Sequence, residues 1–298
     1  MKLKMVGLGK MGLNLALNMK EHGVDVEGFD VNEEARKKAE SENIKTYASL
    51  EDVASKDEKN VIWVMLPAGN ITNSVLLQLV ELCKANDIVI DGGNSDHRDS
   101  LKTAHLMEEK GIYFFDIGTS GGVYGARHGA SFMCGGDPDV FKNELQEMLE
   151  SIATTNGCLY TGKTGSGHYL KMIHNAMLYG YMQTLGEGFE LLEKSEFDYD
   201  LQNVADSLSK SSVIRGWLLE LAADAFKKDP DLSKIKGVVG ASKTTGWTIE
   251  SACELGVPIP VISTSLLMRV RSKQDDSFSA KVIASLRDEV GGHKAQSK

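Results

Sequence analysis

The segment KLKMVGLGKMG, residues 2–12, decides the fold of this chain. Residues 2–6 read as a short strand, and residues 13–22 have the spacing of a helix. The glycines between them follow the pattern G-x-G-x-x-G. Gly7 allows a tight turn, Gly9 lets the backbone approach a pyrophosphate, and Gly12 lets helix and strand pack closely. The free N–H groups at the start of the helix favour negative charge. We therefore predict a dinucleotide-binding unit at the start of the chain.

The choice of dinucleotide depends on Asp30, which directly follows the second predicted strand, Val24–Phe29. A carboxylate there accepts hydrogen bonds from the ribose hydroxyls and repels a 2′-phosphate. The next residues, 31–34, include no arginine. We predict that the cofactor is NAD rather than NADP; the alternative role of Asp30 is to cap a helix starting near Glu33. The predicted cofactor contacts are Gly7, Leu8, Gly9, Lys10, Met11, Gly12, Asp30, Leu66 and Asn94.

The rest of the first half alternates between strands and helices. Further predicted strands are Asn60–Met65, Asp87–Ile90 and Tyr113–Asp116. The last of these leads into a glycine-rich turn, residues 118–122. This alternation predicts an α/β fold with a doubly wound parallel sheet. From residue 167 to residue 194 the pattern becomes one long helix, and helical patterns follow it. We predict an NAD-binding Rossmann domain over residues 1–163. An all-α domain for substrate binding and oligomerisation is predicted over residues 164–298.

Composition narrows the class of protein further. The chain has 298 residues, with 42 acidic and 33 basic side chains and a formal charge of −9, so nucleic acid is an unfavourable partner. No apolar run is long enough to span a bilayer, and the first residues do not resemble a signal peptide. We expect a cytoplasmic protein that does not bind a membrane. The four cysteines form no C-x-x-C pair, which favours buried reduced thiols over a disulfide or a metal site: Cys83, Cys134, Cys158 and Cys253.

Four further motifs carry a family resemblance. They are D-G-G-N-S at residues 91–95, G-T-S-G-G at 118–122, G-A-R at 125–127 and K-M-I-H-N at 171–175. In this order they resemble the 6-phosphogluconate dehydrogenases, above all the short bacterial form that prefers NAD. The resemblance extends over nearly the whole chain. Related β-hydroxyacid dehydrogenases share the S-G-G and K-x-x-x-N elements but not the K-M-I-H-N motif.

The resemblance implies oxidative decarboxylation of 6-phosphogluconate to ribulose 5-phosphate and CO2, with reduction of NAD. In that family the lysine of K-M-I-H-N, here Lys171, removes the proton of the C3 hydroxyl. His174 and Asn175 follow it on the same helix face, which outweighs the alternative of a solvated helix lysine. The substrate contacts implied in this part of the chain are Asn94, Ser120, Gly121 and Gly122.

The resemblance also implies a phosphate site and an oligomer. Tyr179 and Arg269 match the residues that bind the phosphate of the sugar acid in the family. The end of the chain resembles a tail that reaches into the partner subunit, so Arg287 and His293 are expected to contact substrate across a homodimer or homotetramer. A frayed terminus is what the sequence of the tail alone would suggest.

Two departures from the family pattern leave the reaction open. Leu178 occupies the position of the glutamate that acts as general acid in the family. The segment Lys243–Thr248 also lacks the basic residue that the short form has directly before its tryptophan. Three interpretations therefore remain: the decarboxylating reaction, an NAD-dependent dehydrogenase of another β-hydroxy acid, or a catalytically weak homologue that binds a sugar phosphate or NAD.

Overall fold

The computed structural model describes residues 1–54, 56–292, 294 and 296. These divide into two compact units, Met1–Asn175 and Ala176–Lys298. His293, which the sequence analysis assigns to the substrate site, lies outside the described residues.

The first unit is built on one eight-stranded sheet with the order β3-β2-β1-β4-β5-β6-β7-β8. Its strands are β1 (Lys2–Val6), β2 (Asp25–Phe29), β3 (Lys45–Tyr47), β4 (Val61–Val64), β5 (Ile88–Asp91), β6 (Tyr113–Ser120), β7 (Ala130–Gly135) and β8 (Ala153–Gly162). The strand order reverses between β1 and β4, so crossovers run to both sides of β1, as the prediction of a doubly wound sheet requires. That prediction is confirmed.

Helices cover both faces of this sheet, which explains why its central strands are continuously apolar. Trp63 belongs to one buried cluster, whereas Ile62 and Val64 of the same strand belong to another. The helices are α1 (Lys10–Glu21), α2 (Glu33–Ser41), α3 (Leu50–Val53), α4 (Asn70–Leu82), α5 (His97–Glu108), α6 (Gly122–His128), α7 (Pro138–Val140), a π-helical turn (Phe141–Leu145) and α8 (Gln146–Ile152).

One part of the predicted sheet is wrong. Strand β6 continues to Ser120, so Gly118, Thr119 and Ser120 lie in a strand and not in a turn after it. Strand β7 runs antiparallel to β6, and Thr119 pairs with Phe132. Because β7 supplies backbone partners to the second half of β6, the chain stays extended there despite its glycine. The sheet is therefore parallel except at this one pair.

The remaining helices confirm the predicted change to an all-α pattern. They are α9 (Ser166–Lys194), α10 (Leu201–Ser211), α11 (Trp217–Lys228), α12 (Lys243–Leu255), α13 (Pro260–Arg271) and α14 (Phe278–Gly291). Buried thiols were predicted for all four cysteines. Cys83 and Cys134 are buried, but Cys158 is half-buried, and Cys253 is exposed on α12, next to the buried Ala252. No helix in the described part of the chain is long and apolar enough to cross a membrane.

Candidate active site

The glycine motif adopts the geometry that its spacing predicts. Gly7 has a φ of +100°, which favours glycine. A Cβ atom on Gly12 would lie 1.8 Å from the carbonyl oxygen of Gly7, so only glycine lets α1 start this close to β1. Gly9 precedes α1 and has no side chain to cap it. The start of α1 therefore has no side chain at its cap to accept its first N–H groups, which suits a pyrophosphate.

Asp30 is held against the same loop. One carboxylate oxygen accepts the N–H of Leu8 at 2.8 Å, and the other accepts the N–H of Asn32 at 2.8 Å. The alternative role of Asp30 as helix cap is wrong, because Asn32 caps α2 by accepting the N–H of Glu34. Sequence reasoning missed Arg36, whose guanidinium donates to the carbonyl oxygen of Asp30 at 2.7 Å. The carboxylate is thus fixed beside the glycine loop, and the nearby arginine is bonded to backbone.

A cavity of about 330 Å³ opens at the carboxyl ends of the central strands, where the strand order reverses. It brings together residues 9–12 of the glycine motif, Leu66 and Asn94, which were all predicted to contact the cofactor. Pro67 and Thr119 also line it and were missed, although both lie at the carboxyl ends of strands, where ligands of such sheets bind. This is the volume of a small-molecule site.

Lys171 lies on α9 against the middle of β6. A Cβ atom on Gly118 would come within 2.4 Å of the Cβ atom of Lys171, so the helix rests on a strand position without a side chain. The side chain of Lys171 is buried, with 6% exposed. This burial lowers the pKa of Lys171 to about 8. A substantial fraction of this lysine is therefore neutral near physiological pH and able to accept a proton.

Polar side chains surround this part of α9. His174 Nε2 lies 3.4 Å from the hydroxyl of Ser120, and its Nδ1 lies 3.2 Å from the amide oxygen of Asn175. The amide of Asn175 lies 3.5 Å from that of Asn94. Burial lowers the pKa of His174, and the charge of Lys171 lowers it further. The structure thus brings the predicted catalytic residues together with two predicted substrate contacts.

A buried carboxylate that sequence reasoning missed anchors the start of α9. Asp116 accepts the N–H of Gly165 on one oxygen and the N–H of His168 on the other, each at 2.7 Å. Its side chain is fully buried. Burial raises the pKa of Asp116, while these backbone bonds oppose the rise. Its position two residues before the G-T-S-G-G motif was the available signal.

The second unit holds the predicted phosphate residues. The guanidinium of Arg269 lies 3.9 Å from the centre of the Tyr179 ring and donates to the carbonyl oxygen of Gly240 at 2.9 Å. The two predicted residues are therefore adjacent. Arg287 lies on α14, and no hydrogen bond or ion pair joins its side chain to another described residue.

The fold and this site together define an oxidoreductase with an NAD-binding domain. Residues 2–162 match the family described as the NAD binding domain of 6-phosphogluconate dehydrogenase. Residues 167–296 match the 6-phosphogluconate dehydrogenase C-terminal domain. The chain belongs to the 6-phosphogluconate dehydrogenase family.

Two similar proteins match this chain over its full length. A Bacillus subtilis protein named "Putative 6-phosphogluconate dehydrogenase YqeC" is 43% identical, and the match covers 100% of both chains. A Haloferax volcanii protein named "6-phosphogluconate dehydrogenase, NAD(+)-dependent, decarboxylating" is 38% identical over 100% of this chain and 99% of its own. Among solved structures, Plasmodium falciparum 6-phosphogluconate dehydrogenase, studied with NADP+ and with 6-phosphogluconate, is 28% identical with a TM-score of 0.82. That match covers 98% of this chain and 65% of the other.

Proposed function

We propose that this protein oxidises and decarboxylates 6-phosphogluconate to ribulose 5-phosphate and CO2, with NAD as the acceptor. The observation that carries the proposal is Lys171, a buried lysine with a lowered pKa whose charge acts on His174, one turn further along the same helix. Family membership and the name of the Haloferax volcanii relative support the same reaction. Screening 6-phosphogluconate, gluconate and small 3-hydroxy acids with NAD, with NADH and CO2 detected separately, tests it.

In the proposed reaction Lys171 moves the proton. Neutral Lys171 accepts the proton of the C3 hydroxyl while C3 gives up hydride, for which bound NAD would supply the acceptor. The product is a β-keto acid. The resulting ammonium of Lys171 donates a hydrogen bond to the new C3 carbonyl oxygen, which helps the electrons of the C1–C2 bond to move towards it as CO2 leaves. The ammonium of Lys171 returns its proton to the C3 oxygen, which gives an enediol. The enediol takes up a proton from water on the former C2 and releases the proton of the C3 hydroxyl, so a ketopentose forms and the proton count balances. Asn94 and Asn175 would orient the hydroxyls of the acid.

We propose that Asp30 makes NAD the preferred cofactor. Its carboxylate is fixed by Leu8 and Asn32, so it can meet the ribose hydroxyls without rearrangement. Asp30→Ala should raise KM for NAD and reduce the preference over NADP, because the repulsion of a 2′-phosphate is removed. The kcat/KM values for both cofactors measure this. Glu33→Ala, which removes an equal charge from the exposed start of α2, serves as the control. Equal use of NADP by the unmodified protein would contradict the proposal.

We propose that Tyr179 and Arg269 bind the phosphate of the substrate. Guanidinium groups suit phosphate because they donate in a fork. Arg269→Ala should raise KM for 6-phosphogluconate by about 10- to 100-fold, as expected for loss of charge-assisted hydrogen bonds, and lower kcat much less. Arg271→Ala is the matched control, since Arg271 lies on the same helix but donates to Gln274. If gluconate reacts as well as 6-phosphogluconate, the phosphate site does not exist.

We propose that the active form is a homodimer or homotetramer. Helix α14 buries none of its residues within the described chain. Phe278 and Val290 on this helix are 79% and 88% exposed, which suits contact with a second copy. Arg287, on the same helix, would then act on the substrate of the partner.

A second candidate is oxidation of another β-hydroxy acid without the enediol step. Leu178 favours it, because this reaction needs no acid at the position where the family has glutamate. The same site in the first unit would serve, since Lys171 and the cofactor cavity carry out the oxidation in both cases.

A further inference from the structure

We propose that Asp116 is a positioning residue that sets the place of Lys171 by clamping the first turn of α9 to the sheet. The inference rests on the proposed role of Lys171 as the base. The two carboxylate oxygens of Asp116 receive one backbone N–H each, from Gly165 and from His168. His168 lies one helical turn before Lys171, so the clamp acts directly on the turn that carries the lysine.

Three glycines let the carboxylate and the helix approach each other. A Cβ atom on Gly135 would lie 2.5 Å from a carboxylate oxygen of Asp116. One on Gly167 would lie 2.1 Å from the carbonyl oxygen of Asp116, and one on Gly118 would meet Lys171. The start of α9 therefore packs directly against the backbone of β6 and β7. Asp116 binds the N-terminal end of α9, and one turn further along the helix packs against Gly118.

The clamp requires two acceptors. A carboxyl group has an acceptor on each of its two oxygens, and in Asp116 each oxygen accepts one N–H of the helix start. Asparagine offers one oxygen and an amide group that donates, so one of the two N–H groups would face another donor. The first turn would then shift or fray. A displacement of about 1 Å at a reacting group can cost about 10²-fold in rate, so a small shift of Lys171 suffices.

The test compares Asp116→Asn with Asp87→Asn in the full-length protein. Asp87 is equally buried and likewise accepts backbone N–H groups, from Asn60 and Lys84. It directly precedes the first residue of β5, at the end of that strand away from the cofactor cavity. With 6-phosphogluconate and NAD, Asp116→Asn should lower kcat about 10²-fold with little change in either KM. Substrate deuterated at C3 should show a larger isotope effect on kcat, because hydride transfer becomes slower. Asp87→Asn should lower thermal stability without these changes.

A second readout does not depend on the substrate. Labelling of Lys171 by trinitrobenzenesulfonate, followed by peptide mass spectrometry, should be faster in Asp116→Asn than in the native protein and unchanged in Asp87→Asn. If the native protein does not turn over 6-phosphogluconate, the proposed function fails. The labelling still tests whether Asp116 fixes the position of Lys171.

Gly135→Ala provides an independent variant if Asp116→Asn does not fold. It keeps the carboxylate, but its Cβ atom would lie 2.5 Å from a carboxylate oxygen of Asp116 and 2.8 Å from the backbone nitrogen of Gly167, so it forces the carboxylate and the start of α9 apart. It should give the same selective loss of kcat and the same faster labelling. Native kcat and native labelling of Lys171 in either folded variant would overturn the proposal.

Discussion

Lys171→Met is expected to lower turnover by about 10²- to 10⁴-fold, the usual contribution of a positioned acid or base. Methionine has a similar length and apolar stem but accepts no proton, so the pocket beside Gly118 stays filled. NAD should bind as before, since the cofactor cavity lies among other residues. Single-turnover formation of NADH measures the effect. Lys194→Met, at the exposed far end of the same helix, is the matched control and should be fully active.

The pH dependence of the native protein follows from the same lysine. Lys171 must be neutral to act as base, and burial lowers its pKa to about 8. The value of kcat/KM should therefore rise with pH up to about 8 and then level off. Below that pH it should fall about tenfold per unit, because the protonated fraction grows. A profile without this rise would show that Lys171 is not the base.

Leu178→Glu is expected to raise turnover to the ketopentose, by up to about 10²- to 10⁴-fold if protonation of the enediol limits the native protein. The substitution restores the acid that the family has at this position. The first turnover of NADH should change little, since hydride transfer precedes that step. Leu178→Gln is the control, because glutamine has nearly the same shape as glutamate but cannot act as a general acid. Chromatographic measurement of ribulose 5-phosphate follows formation of the ketopentose independently of NADH formation.

Two outcomes would contradict this account of Leu178. A protein that serves another hydroxy acid should lose activity on that acid when a carboxylate replaces the leucine, and should gain none on 6-phosphogluconate. Fast native formation of ribulose 5-phosphate that survives His174→Ala would show that no acid is missing.

Much of the fold could be predicted because it depends on local patterns. The turn at Gly7 and the apolar strand around Trp63 each need only nearby sequence to be recognised. The cluster of Lys171, His174 and Asn175 followed from helical spacing combined with the family resemblance. In these cases sequence neighbours and spatial neighbours coincide.

What could not be predicted depends on distant partners. The extension of β6 to Ser120 requires β7, which no short-range pattern links to it. The clamp at Asp116 joins a strand to a helix start 49 to 52 residues later. The exposure of Cys253 depends on which side of α12 faces the core. Each follows from tertiary pairing, which the order of residues alone does not reveal.

The central claim is that Lys171 and its site oxidise and decarboxylate 6-phosphogluconate with NAD. The most direct measurement incubates the protein with 6-phosphogluconate labelled at C1 and with NAD, and follows NADH and labelled CO2 in the same sample. The account predicts that both form in equal amounts and that both are lost in Lys171→Met. NADH without CO2 would point to oxidation alone, and binding of NAD with no NADH from any acid would contradict the assignment of an enzyme.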